Sequence, residues 1–345
     1  MNVSTARAPG QHRFAALALA IALAAPAVLA TGATAAAQDA DAQFCRDTNI
    51  VFFPGGAEGG PFETVVFNGA KAAQALFGPS VNYVWSDWDP TNMITQFGEA
   101  VATAPDGIAV MGHPGDDAFK PLIDDAISQG IIVTVMNTEL AATQAEHAPA
   151  GTGYVGATLY KAGFDLATEA VRRSGLVEGD QAFVWGLVSQ PGRGERTQGV
   201  LDGLEAAGID VVYLEIDEAT NADPTQGIGI FTGIASANPE LKAAFFDHGN
   251  VTSTAQSYLE AAGLGPDDIY VAGFDVAPAT VSGVQNGFID LVIDQQQWLQ
   301  GFEAIAQICL THNYGFAGLV INTGGGFLDA SNVDVLAELV EQQIR

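Results

Sequence analysis

From Asn49 onward the chain alternates short runs of consecutive apolar residues with longer segments in which apolar positions recur every three to four residues. Apolar runs rich in β-branched and aromatic side chains fit strands buried on both faces, whereas the longer spacing fits helices that bury one face. The first unit comprises the run 49–54 (NIVFFP), a glycine-rich loop over 55–60 and the segment 61–77. In that segment Phe62, Val65, Val66, Ala70, Ala73 and Phe77 share a helical face, with Pro61 near its start. The pattern then predicts strand 81–85, helix 91–103, strand 107–111, helix 118–129 and strand 131–136. After a loop over 138–152 the rhythm resumes with helix 158–173, strand 182–187, helix 193–207, strand 211–214, helix 224–237, strand 243–246, helix 252–262 and strand 269–274. The tail adds helix 277–287, strand 291–293, helix 297–311, strand 319–322 and helix 332–344.

Strand–helix alternation implies mostly parallel sheets covered on both faces, so the expected fold class is α/β with two doubly wound parallel-sheet lobes. The 345 residues suit two domains. The Ala-, Thr- and Gly-rich stretch 141–153 marks the boundary between them. If the last elements are shared, one lobe spans 46–147 plus 296–316 and the other 148–295 plus 317–345, with no third domain.

Charge narrows the partners. Asp and Glu number 40 against 12 Lys and Arg, for a formal charge of −28. Nucleic acids and anionic membrane surfaces both require a positive footprint, so neither is an expected partner. Residues 1–37 read as a signal peptide: Arg7, His12 and Arg13 form a basic start, 14–29 is an apolar run, and Ala35-Ala36-Ala37 precede Gln38 as a small-residue cleavage site. The run is shorter than the ~20 residues that a spanning helix needs. Its removal would take Arg7 and Arg13 and no acid, leaving an exported, more acidic chain expected in the periplasm. Cys45 follows Ala42-Gln43-Phe44, which lacks the small residues expected before a lipidated cysteine. Cys45 and Cys309 are the only cysteines. An oxidising compartment permits them to pair, and two unrelated small hydrophobes are the other reading.

Parallel α/β sheets bind ligands at the carboxyl ends of their strands, so the residues just after each strand are the candidates for chemistry. These are Gly59-Gly60-Pro61-Phe62-Glu63, Asn137, Arg193 and Arg196, Asp247 and His248, Phe274 and Asp275, and Asp294 and Gln295. Amide, guanidinium, carboxylate and aromatic groups together suit a ligand with several hydroxyls. No G-x-S-x-G elbow, H-E-x-x-H or phosphate loop occurs, and Gly192-x-Gly194 breaks off before a dinucleotide fingerprint is complete. Asp275 and Glu63 are the candidate carboxylate pair for a glycosidase, the minor alternative. The Asp116-Asp117 and Asp267-Asp268 loops read as solvated rather than calcium-binding. No catalytic residue, metal or cofactor is therefore expected.

Met111-Gly112-His113-Pro114, Ile131–Asn137, Arg193-Gly194-Glu195-Arg196-Thr197-Gln198-Gly199, Ala272-Gly273-Phe274-Asp275 and Ile293-Asp294-Gln295-Gln296 stand in order behind the leader. From about residue 48 to 345 the chain thereby resembles the periplasmic sugar-binding proteins of ABC importers, of the ribose/galactose-binding type. The resemblance implies type I lobes joined by three crossovers, a hinge near 138–150, 275–277 and 295–297, and closure over one sugar or polyol. It also implies a monomer that delivers its ligand to a membrane permease. A sensor module presenting its closed state to a receptor or sensor kinase would use the same lobes, and non-carbohydrate solutes occur on related frames.

Carried over by position, Phe62 matches a ring that packs on the sugar and Asn137 the polar residue after the fourth strand. Arg196 matches an arginine gripping ring hydroxyls, Asp275 a carboxylate, and Gln295 a glutamine at the last crossover. Glu63 stands where the family usually has a second ring, and Asp247-His248 where it has Asn-Asp. Glu63 and His248 join Phe62, Asn137, Arg196, Asp275 and Gln295 as candidate ligand contacts, while Trp85, Trp88 and Asp89 offer a replacement aromatic. Each has a plainer role as well: core for Phe62, surface ion pairing for the arginines, and a helix cap for Asp275.

Overall fold

The computed structural model describes residues 43–345. The expected signal peptide lies outside the described residues. Two six-stranded sheets form. The first contains β1 (Asn49–Gly55), β2 (Ser80–Trp85), β3 (Gly107–Met111), β4 (Ile132–Met136), β5 (Gly153–Gly156) and β11 (Val320–Asn322), in the order β11-β5-β4-β3-β1-β2. The second contains β6 (Gln181–Gly186), β7 (Asp210–Glu215), β8 (Leu241–Phe246), β9 (Tyr270–Phe274), β10 (Leu291–Asp294) and β12 (Gly326–Leu328), in the order β12-β10-β9-β8-β6-β7. All pairings are parallel except β10 with β12. Central strands are buried along their length because helices cover both faces, as their uninterrupted apolar runs require.

Strand pairing moves the expected lobe boundaries. β5 pairs with β4, and β11 with β5, so both belong to the first sheet rather than to a second lobe starting at 148 and resuming at 317. The bond from Tyr154 N–H to the Leu319 carbonyl (2.8 Å) closes this edge. The chain therefore passes between sheets at 157–158, 295–296 and 323–325. The segments 138–150 and 275–277, expected as hinge, lie within single lobes; the former contains the helix Ala141–His147. Asp116, expected in an acidic loop, instead starts the helix Asp116–Ser128, and its carboxylate accepts from the Ala142 and Thr143 N–H groups at 3.0 and 2.9 Å.

Each lobe packs two helices so closely that only glycine fits at the crossing. A Cβ on Gly69 would stand 1.9 Å from the Trp298 carbonyl oxygen, and one on Gly301 1.9 Å from that of Val66, joining helices Pro61–Phe77 and Gln297–Tyr314. In the second lobe a Cβ on Gly163 would stand 2.0 Å from the Arg196 carbonyl, so helix Leu159–Ser174 fixes the backbone that carries Arg196. The lobes also meet directly: a Cβ on Gly115 would lie 3.1 Å from the Pro191 Cβ, and one on Gly192 3.0 Å from the Thr138 methyl.

Cys45 and Cys309 are paired, with Cα atoms 5.5 Å apart, which settles the question their sequence positions left open. The bond ties the segment before β1 to helix Gln297–Tyr314 and closes a loop with a sequence separation of 264. A loop of that length restricts the unfolded chain strongly, so a Cys45→Ser/Cys309→Ser double variant should lose ~2–5 kcal/mol of stability. Urea unfolding would read this as a lower midpoint, and an unchanged midpoint would show that the bond adds nothing to the fold.

Candidate functional site

The carboxyl end of the second sheet is organised around Asp247, which directly follows β8 and is 1% exposed. Arg193 donates from one terminal nitrogen to both carboxylate oxygens (3.0 and 3.1 Å) and from the other to the Asp247 carbonyl (2.7 Å). Arg196 donates Nε–H to Oδ1 and a terminal N–H to the same carbonyl, both at 2.5 Å. The Thr197 hydroxyl binds Oδ2. The Arg196 guanidinium also lies over the Phe274 ring, 4.1 Å from its centroid. Burial would raise the Asp247 carboxyl, but the charges of Arg193 and Arg196 overcome it and hold the group below its usual range. Burial, reinforced by Arg196, pulls Arg193 down to about 10.

A second chain of polar groups runs through the crossover at 295–296. Asp275 turns off β9 with φ +71 and accepts the Gln295 amide N–H on Oδ1 at 2.6 Å. Burial raises its carboxyl pKa against the pull of Arg196 and Gln295. The Gln295 carbonyl accepts from the Gln300 amide at 3.2 Å, and the Gln300 side-chain oxygen accepts from Asn137 Nδ2 at 3.3 Å. Asn137 directly follows β4 with φ +61 and is 5% exposed. The chain thus joins a strand end of the first lobe to a carboxylate of the second. Among the described residues Gln295 Oε1 is buried without a hydrogen-bond partner.

The first lobe contributes an aromatic group. Phe62, second in its helix and half-buried, meets Trp88 edge-on at 5.6 Å while also packing on the first core. Trp88 lies 4.8 Å from the His113 ring, which stands just after β3. Glu63 is 4% exposed, its pKa raised by burial against hydrogen bonds from its own backbone, the Trp88 indole and Ala57. His248 caps helix Gly249–Ala261, accepting the Asn250 N–H on Nδ1 at 3.2 Å, so its neutral ring carries the proton on Nε2. Burial and then the charges of Arg193 and Arg196 lower both His113 and His248 to about 3.

Arg196, His248, Asp275 and Gln295 therefore gather on the second lobe and its crossover, with Asn137 joined to them through Gln300. Phe62 and Glu63 gather around Trp88 on the first lobe. His113 connects the two groups through the field of Arg193, Arg196 and His248. His113 follows a strand and was open to the same positional reasoning as the others. Gln300 lies one turn into a helix, where nothing in the sequence distinguishes it.

Two α/β lobes joined by three crossings, with polar side chains converging at the carboxyl ends of both sheets, define the type I class of periplasmic binding proteins. The chain belongs to the periplasmic binding protein family: the family model, described as a periplasmic binding protein domain, matches residues 50–310. Among curated relatives, the xylose/arabinose-binding protein of Sulfolobus acidocaldarius is 27% identical over 265 residues, or 73% of this chain. The match spans 64% of that relative's length. The D-ribose/D-allose-binding protein of Pseudomonas aeruginosa is 23% identical over 66% of this chain and 71% of its own. A carbohydrate transporter from Acidothermus cellulolyticus, solved with myo-inositol, superposes with TM-score 0.73 at 23% identity, covering 86% of this chain and 99% of that one. An ABC transporter solute-binding protein from Burkholderia graminis, solved with D-arabinose, has the same TM-score at 21% identity and covers 84% and 97%. At these identities the structures establish the fold.

The histidines set a pH dependence of stability. Their folded pKa of about 3 lies below the ordinary 6.5, so between those values the unfolded chain binds more protons. Their contribution is present above pH 6.5 and is lost as pH falls towards 3. A His113→Gln/His248→Gln variant should therefore show a flatter decline than the parent when urea midpoints are compared between pH 7 and 4. Parallel curves would place the acid sensitivity elsewhere.

Proposed function

We propose that this protein captures a neutral sugar or polyol between its lobes in the periplasm and delivers it, as a monomer, to the permease of an ABC importer, without altering it chemically. The observation that carries this reading is the unspent hydrogen-bonding capacity between the lobes. Among the described residues, Gln295 Oε1 is buried without a partner, and only Oδ1 of the neighbouring Asp275 carboxylate is engaged. A buried acceptor left unmade is unfavourable, and hydroxyl donors would satisfy both groups.

The charge balance supports a neutral ligand. Arg193 and Arg196 face Asp247 and Asp275, and the two imidazoles stay uncharged, so an ionised Asp275 leaves no net charge to match. The relatives named for xylose/arabinose and ribose/allose point to the same chemical class. Closure would turn on the crossings at 157–158, 295–296 and 323–325, where Gln296 already holds φ +51. Ligand contacts from both lobes would shift the population to the closed form that a permease reads.

The first test is thermal stability of residues 38–345 against pentoses, hexoses, polyols and cyclitols, where ligand at ~100 times its dissociation constant should add ~2.7 kcal/mol. A shift confined to one such group supports the reading, and a folded protein with no shift across the panel overturns it. Asp275→Asn keeps the side chain's shape and tolerates the left-handed backbone. By removing a charged acceptor it should weaken the best-binding sugar by ~1.5–3 kcal/mol in calorimetric titration. Unaltered affinity would remove Asp275 from the site.

A further inference from the structure

Trp88 occupies a backbone conformation that its bulk disfavours. It has φ +56, and Asp87 before it has φ +53. A large side chain stays in the left-handed region only where its surroundings over-determine it. The surroundings here are specific. The Trp88 N–H binds the Gly55 carbonyl at 3.1 Å. The indole lies across Gly55 and Gly56, where a Cβ would stand 2.4 Å from the ring in each case. Its N–H is held by the Glu63 carboxylate, which is turned into the glycine loop: a Cβ on Gly60 would meet Glu63 Oε1 at 1.8 Å.

A buried carboxylate is unfavourable unless its lone pairs are used, and those of Glu63 are used by the Trp88 indole and backbone N–H groups. Trp88 itself remains only partly buried. It stands at the carboxyl end of the first sheet, against the His113 ring that feels Arg193, Arg196 and His248 of the opposite lobe. A flat apolar surface held rigidly beside polar groups is suited to the C–H face of a cyclic polyol.

We infer that Glu63 and Trp88 act as one unit: Trp88 is a wall of the cleft on which the ligand ring packs, and Glu63 is a positioning residue that orients the indole without touching ligand. This inference rests on the reading under Proposed function. It predicts coupling between the two side chains and a ligand-dependent signal from Trp88.

The test titrates D-xylose, D-arabinose, D-ribose and myo-inositol into the parent protein and variants, with affinity and indole emission read together. For the tightest of these, Trp88→Ala should weaken binding about tenfold or more. Glu63→Ala should weaken it less, Glu63→Gln should restore most of the loss by keeping an acceptor, and the Glu63→Ala/Trp88→Ala pair should bind no more weakly than Trp88→Ala alone. The emission difference between parent and Trp88→Phe isolates Trp88, and it should change on sugar addition and shift in Glu63→Ala even without sugar. Weakened binding in Asp275→Asn with none in Trp88→Ala would overturn the indole wall and leave the binding reading standing. Additive losses for Glu63→Ala and Trp88→Ala would show that Glu63 contacts sugar itself. If neither these four compounds nor any member of the wider panel binds the parent, the binding reading and this inference fall together.

Discussion

Two guanidinium groups sharing one buried carboxylate are the constraint around which this molecule is arranged. Asp247 cannot stay ionised at 1% exposure without both Arg193 and Arg196, and neither arginine could remain buried without Asp247. The backbone follows from that requirement. Helix Glu195–Ala206 must start close enough to β8 for Arg196 to reach it, and the close contact of Gly163 with the Arg196 carbonyl packs helix Leu159–Ser174 against that start. Both arginines also bind the Asp247 carbonyl, so the strand end is fixed in position as well as in charge. The result is a set of rigid donors and charges whose desolvation is met during folding, so that under the proposed function a ligand would not have to organise them.

The amide chain from Asn137 through Gln300 to Gln295 and Asp275 extends this order across the crossover. Asn137, Asp275 and Gln296 all sit in the left-handed region, each at a point where the chain turns sharply off a strand or into a helix. Asn and Asp tolerate that region best among residues with a Cβ. Their side chains are thereby held over the sheet ends. In the proposed closure, movement of one lobe against the other would act through this chain, which joins the crossover at 295–296 to the acceptors beside it.

Much of this arrangement was legible in the sequence, for a physical reason. Long strands buried on both faces leave unbroken apolar runs, and the rule that ligands meet strand ends singled out Asn137, Asp247, His248, Asp275 and Gln295. The two strands that the hydrophobic pattern does not show are β5, a four-residue GYVG, and β12, a three-residue GFL. Short segments rich in glycine carry no periodicity, and missing β5 displaced the expected lobe boundary. Side-chain partners were a different matter. Arg193 and Asp247 are 54 residues apart, and no local pattern shows that a guanidinium at one reaches a carboxylate at the other. Glu63 had the right position for a ligand contact, and only the fold places its carboxylate against the Trp88 indole.

Surface and cleft follow opposite electrostatic rules. The chain carries 40 acidic and only 12 basic side chains, and two of those scarce cations are buried at the centre. Outside, the excess of carboxylates produces a negative field that slows the approach of sugar acids and sugar phosphates and leaves neutral solutes unaffected. Inside, paired charges and uncharged imidazoles present strong donors and acceptors without a net charge to neutralise. Under the proposed function both conditions favour the same solute: a neutral polyhydroxyl compound would cross the field without hindrance and satisfy the open acceptors, whereas an anion would be disfavoured by the field and would face Asp275.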